Sequence, residues 1–131
     1  MYKETIFSII IIIIVVVGNI VTQNYTNYSV KKATSELEKL KQELSTETEK
    51  INWNEVENKF ANMQKEWRKD FEKLAYYTEH DELEKVDTNL TGLRSYIETK
   101  EEIEAINELE KSVFILKHIE DKYSFNLQNI F

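Results

Sequence analysis

The stretch IFSIIIIIIVVVGNIV, residues 6–21, carries no charge, and the reading of the whole chain turns on it. Residues 5–21 are 17 consecutive uncharged positions, and 13 of them are Ile, Val or Phe. A bilayer-spanning helix needs about 20 apolar residues, with a lower limit near 17. At roughly −0.3 to −0.6 kcal/mol each, these residues supply on the order of −4 to −8 kcal/mol of insertion free energy. Thr5, Ser8, Gly18 and Asn19 reduce that sum a little. In water, the run at residues 9–14 would be an aggregation-prone β segment. In lipid, a helix closes every backbone hydrogen bond within the segment. The stretch therefore reads as a transmembrane anchor over residues 5–22, behind a short flank at residues 1–4. The rival reading is a cleaved signal peptide, which needs a basic start and a small-x-small cleavage site. Lys3 is the only basic side chain in front, Glu4 sits beside it, and Val16-Val17-Gly18 is a weak cleavage site.

Working outward, residues 23–29 (QNYTNYS) form a polar neck whose two tyrosines suit the interfacial belt of a bilayer. Lys3 on one side of the span, and Lys31 and Lys32 on the other, do not choose an orientation by the positive-inside rule. The expected location is a cell membrane, crossed once.

Lys3 and Glu4 are the only charges in the first 30 residues and cancel, so the whole net charge of −7 falls on residues 31–131. About 100 residues make one domain and not two. An acidic balance argues against nucleic acid, whose phosphates need a basic face, and against lying flat on anionic lipid. The absence of Cys excludes a disulfide framework, a thiol nucleophile and a lipidated N-terminal Cys. No Pro and only two Gly leave few chain breakers for a turn-rich fold. The sequons at Asn24, Asn27 and Asn89 read as chance in an Asn-rich chain.

Apolar residues then recur at 3,4 spacing, the mark of a helix with one buried stripe. Val30, Ala33, Leu37, Leu40 and Leu44 form the first stripe, which fades at Ser45-Thr46. Asn52 with Glu55 resembles a capping box opening a second helix. Trp53, Val56, Phe60, Met63, Trp67, Phe71 and Leu74 form its stripe, and both Trp read as core. Leu83, Val86, Leu90, Leu93 and Ile97 form a third, interrupted by Gly92, which reads as a kink or a close approach to a neighbouring helix. Thr99 reads as the cap of a fourth helix, with Ile103, Ile106, Leu109, Val113 and Leu116 as its stripe and Lys117 and Lys122 near its far end. A tail at residues 123–131 is expected to fold back onto the bundle. The predicted fold is all-α: an N-terminal transmembrane helix followed by an antiparallel up-down four-helix bundle over residues 30–122. An extended coiled coil is the alternative, but each stripe lasts only two to three heptads.

Chemistry has few places to reside. In an up-down bundle His80 and His118 fall at the same, membrane-proximal end, among Glu79, Asp81, Glu82, Glu84, Glu120 and Asp121. His80, Glu84, His118 and Asp121 are thus the candidate ligands for a divalent metal, or the elements of a pH switch. The plainer reading has His80 closing the turn before the third helix, and His118 near the C-terminus of the fourth, where positive charge is favoured. A di-iron bundle would show Glu-x-x-His pairs, but Tyr77 and Ile115 hold those positions. No phosphate loop, His-Glu-x-x-His or EF-hand loop is present. The sequence therefore names no reaction, no cofactor and no catalytic residue, and an enzyme is not expected.

Trp53, Trp67, His80 followed by Glu82-Leu83, Leu93 with Tyr96-Ile97, His118-Ile119 and the final Asn129-Ile130-Phe131 resemble the family catalogued as domain of unknown function 4363. The resemblance covers nearly the whole chain. It implies a small single-pass protein of spore-forming Firmicutes, with a helical domain facing out of the cell. It carries over no activity. The expected function is a non-enzymatic interaction or accessory module for a membrane or envelope protein. A metal-binding or pH-sensing module at the histidine end is the alternative, and homo-oligomers are compatible with either.

Overall fold

A computed structural model describes residues 1–46, 50–76 and 78–130, with side chains as far as Lys122. Four helices follow one another: α1 Tyr2–Leu44, α2 Trp53–Leu74, α3 His80–Glu98 and α4 Glu102–Ile130. No strand occurs among the described residues.

α1 is one unbroken helix of 43 residues, roughly 65 Å long at 1.5 Å per residue. It has no Pro to stop it, and Gly18 alone does not. Near the N-terminus it is long and apolar enough to cross a membrane, and its apolar window is not buried inside the fold. Two hydroxyls in that half are satisfied internally: Thr5 donates to the Met1 carbonyl at 3.1 Å and Ser8 to the Glu4 carbonyl at 3.0 Å. Backbone of this kind asks nothing of its surroundings.

The polar neck is helix as well, and Thr26 and Ser29 within it are buried. The Thr26 hydroxyl donates to the Thr22 carbonyl at 2.8 Å, which makes its burial cheap. Packing thus starts a turn before Val30.

Ion pairs fix the register. Lys32 meets Glu66 at 2.7 Å and Lys59 meets Glu43, so α2 runs antiparallel to α1. Lys41–Glu110 at 2.9 Å, Lys117–Glu38 at 3.3 Å and Lys31–Glu120 at 3.6 Å set α4 antiparallel to α1. α3 packs on α2 and α4, and the backbones of the diagonal helices stay apart among the described residues. This is the expected up-down four-helix bundle. Every position of the first and third stripes is buried, as are Val56, Phe60, Met63, Trp67 and Leu74 of the second.

Asn52 caps α2 by accepting from the Glu55 amide at 3.2 Å. The capping box is only half made, because the Glu55 carboxylate turns to Lys59 at 3.0 Å. Gly92 marks a close approach: a Cβ there would lie 3.3 Å from the Glu108 carboxylate of α4.

α4 departs from expectation in three ways. Thr99 belongs to α3 as its C-cap, and its hydroxyl donates to the Ser95 carbonyl at 3.1 Å. Lys100 follows with φ 60, its N–H bonded to the Ile97 carbonyl and that of Glu101 to the Tyr96 carbonyl. These two bonds make a Schellman turn with lysine in the left-handed position. Ile103 is 71% exposed, and the core stripe is Ala105, Leu109, Ser112, Leu116 and Ile119, with Ile106 and Val113 at its edge. Two residues before Ala105 is about 200° round a helix, so Ile103 points away from the core. Finally, the helix continues to Ile130 where a separate tail was expected. The side chains of residues 123–131, and hence their packing on the bundle, lie outside the described residues.

Candidate functional site

The first turn of α3 and the facing turn of α4 bring the two histidines to one end of the bundle, level with Lys31 of α1. They do not share a ligand set. His80, in the first turn of α3, places Nε2 2.8 Å from Oε1 of Glu84 on its own helix. His118, on α4, places Nε2 3.5 Å from Oε1 of Glu82. Lys122 reaches across to Glu79 at 2.5 Å and lies 3.9 Å from Glu82. Asp121 is exposed and forms no ion pair among the described residues. Among those residues, no three His, Cys, Asp or Glu side chains gather in a way that would hold a metal ion. His118 also stands a full twelve residues short of the end of α4, too far for the helix C-terminus to act on it.

What the sequence places here is thus an interhelical ion cluster. Glu79 and Glu82 of α3 face His118 and Lys122 of α4. The hydrogen bond from Lys122 holds the Glu79 carboxyl below its ordinary range, assisted by the lysine's charge. Both histidine side chains are more than half exposed, so each sits in a solvated pair of the kind that adds little to stability. Glu82 is the one shielded member, and its Oε2 is buried without a partner among the described residues.

A second polar feature lies in the core, and the stripes did not anticipate it. Thr26, Ser29, Thr34, Gln64 and Thr78 are buried. Ser29 Oγ, Thr34 Oγ1, Gln64 Nε2, Trp67 Nε1 and Thr78 Oγ1 find no hydrogen-bond partner among the described residues. All belong to the half of the bundle nearer the apolar stretch, whereas in the far half Leu37, Leu40, Leu44, Phe60 and Ile97 are apolar and the one buried hydroxyl named, Ser112, donates to the Glu108 carbonyl. The signal was present: Phe60, Gln64, Trp67 and Phe71 keep 4,3,4 spacing, so Gln64 occupies a core position.

Shallow grooves run between the helices of the described residues. One, between α3 and α4, is lined by Asp81, Lys85, Asn89, Asn107 and Phe114. Another, between α1 and α2, has Leu40, Val56 and Met63 as its floor and Glu36, Lys59 and Glu66 on its rim. Burial, helped by the charge of Glu66, pushes the Glu36 carboxyl up.

Fold and surface together define a four-helix bundle carried on the end of a long, apolar-tipped helix. The family described as Domain of unknown function (DUF4363) matches residues 22–130, and the chain belongs to that family. The match opens at Thr22, immediately after the apolar stretch, so the family's domain is the bundle together with its neck. No curated protein and no solved structure matches the chain.

Proposed function

We propose that this protein is a membrane-anchored, non-enzymatic interaction module. Residues 5–22 hold it in the cell membrane, the bundle stands outside the cytoplasm, and a membrane or envelope protein is its partner. One observation carries the reading: the apolar half of α1 is uncovered and passes without a joint into a packed bundle. Such a helix fixes a domain at a bilayer, and a domain so fixed meets partners in two dimensions. The outer face of α4 supports the partner side of the reading. Phe114 is 74% exposed there, and Ile103, about three turns away on the same face of α4, is exposed as well. Large exposed apolar side chains rimmed by polar ones mark contact surfaces. The family resemblance supports the outward orientation.

Cross-linking of the full-length protein in membranes of its native host, followed by mass spectrometry, tests this. A reproducible membrane or envelope protein, lost on Phe114→Ser, is the expected result. Recovery of self-cross-links alone would sink the accessory role.

A further inference from the structure

We infer that the lower end of the bundle rests on the bilayer surface itself, with Ala75 and Tyr76 at the end of α2 seated in the headgroup layer. The inference rests on the anchor reading above and adds a second membrane contact to it.

No spacer separates the span from the bundle. Residues 6–19 of α1 are exposed, and Ile20 is the first of intermediate exposure. Thr22, Gln23 and Tyr25 are half-buried and Thr26 is fully buried. Bundle packing therefore begins directly at the end of the apolar stretch, with no spacer between them. Because α1 is continuous here, no hinge lifts the bundle away.

Helix register brings the ends of α2 and α4 to the same level. The Tyr25 hydroxyl donates to Asp70 at 2.7 Å. Five residues further along antiparallel α2 is Ala75, opposite Ile20, and Tyr76 follows. α4 arrives at the same level: Glu120 pairs with Lys31, and ten further helical residues bring Ile130 opposite Val21. Two helix ends and a turn thus converge where the apolar stretch stops.

The side chains at this level suit a headgroup layer. Tyr76 is 89% exposed, with no packing role to explain a large ring at that position. Tyrosine with its ring in the acyl boundary and its hydroxyl in water is a favoured interfacial residue. Lys73 lies with Nζ 5.6 Å from the centroid of the Tyr25 ring in the same layer, another aromatic and cation suited to headgroup depth. The net charge of −7 disfavours anionic lipid as the cause of contact, so a zwitterionic surface should suffice.

The chain has no Cys, so single reporters are simple to introduce. Nitroxide would be attached to Ile13→Cys in the span, Tyr76→Cys and Glu72→Cys at the base, and Ser45→Cys at the far end. Full-length protein would be reconstituted in phosphatidylcholine vesicles. Collision with a water-soluble nickel complex and with oxygen then reports depth. The Glu72 site keeps Tyr76 in place and guards against a label that inserts by itself. Expected are full lipid shielding at Ile13, nickel access several-fold lower at Tyr76 and Glu72 than at Ser45, and a rise at Glu72 on adding Tyr76→Ser. Nickel access at Glu72 equal to that at Ser45, with Ile13 shielded, overturns the seated bundle and leaves the anchor standing. Nickel access at Ile13 overturns the anchor, and the seating with it.

Discussion

The phenolic oxygen of Tyr25 lies 2.7 Å from Oδ1 of Asp70, and that hydrogen bond joins α1 to α2 at the level where bundle packing begins. A hydrogen bond to a charged acceptor in a half-buried site contributes about 1–2 kcal/mol. Tyr25→Phe keeps the ring beneath Lys73 and removes only the hydroxyl. The expected loss is about 1 kcal/mol, because the half-exposed Asp70 recovers water. Urea unfolding of the full-length protein in detergent measures it. An unchanged midpoint would show that the bond is not formed in solution.

The α3–α4 turn holds Lys100 at φ 60. A side chain in the left-handed region costs roughly 1–2 kcal/mol, and glycine escapes most of that. Both turn hydrogen bonds are made by backbone and survive the change. Lys100→Gly is therefore expected to stabilise the protein by about 1 kcal/mol, reduced somewhat by glycine's freedom in the unfolded chain. Lys100→Ala, which keeps a Cβ, should bring no such gain. Thermal unfolding of the pair separates the two.

The start of α4 offers the plainest test of the corrected stripe. Leu109 is fully buried and Ile103 is 71% exposed, although spacing alone treats them as equals. Leu109→Ala should cost about 2–5 kcal/mol by transfer and cavity terms. Ile103→Ala should stay within about 0.5 kcal/mol of zero, as surface substitutions do. Equal effects would place Ile103 in the core after all.

These cases show why some of the fold was legible and some was not. The stripes of α1, α2 and α3 were plain because leucine, valine and aromatic side chains recur at 3,4 spacing for several turns, and each position is buried or half-buried. Asn52 was legible as a cap because its side chain suits no other role there. The α4 start was not, because the turn depends on backbone geometry at a lysine, a residue that gives no left-handed signal. The length of α4 was hidden because residues 123–131 show no clean period. At the histidine end, topology placed His80 and His118 together correctly. Their partners were beyond reach: with Glu79, Glu82 and Glu84 all near, the choice of Glu84 for His80 and Glu82 for His118 is decided by side-chain direction, which spacing does not encode.

The last prediction concerns two carboxylates shifted in opposite senses. Lys122 holds the Glu79 carboxyl below its ordinary value of 4.5. A group so lowered adds stability above the unfolded-state value, and that stability disappears as pH falls through the folded-state value. Glu36 is the reverse. Burial raises its carboxyl, so its folded form prefers the proton, and stability is lost as pH rises through the raised value. Glu36→Gln mimics the protonated form. At neutral pH it should raise the unfolding midpoint slightly, by a few tenths of a kcal/mol after solvent screening. Below the ordinary carboxylate value the difference should vanish, since wild-type Glu36 is then protonated too. Lys122→Gln should do the opposite: it lowers stability at neutral pH and converges with the wild type in acid, where Glu79 is neutral. Melting curves of the three proteins across that pH range decide it, and a Glu36→Gln gain that persists in acid would refute burial of the charge as its cause.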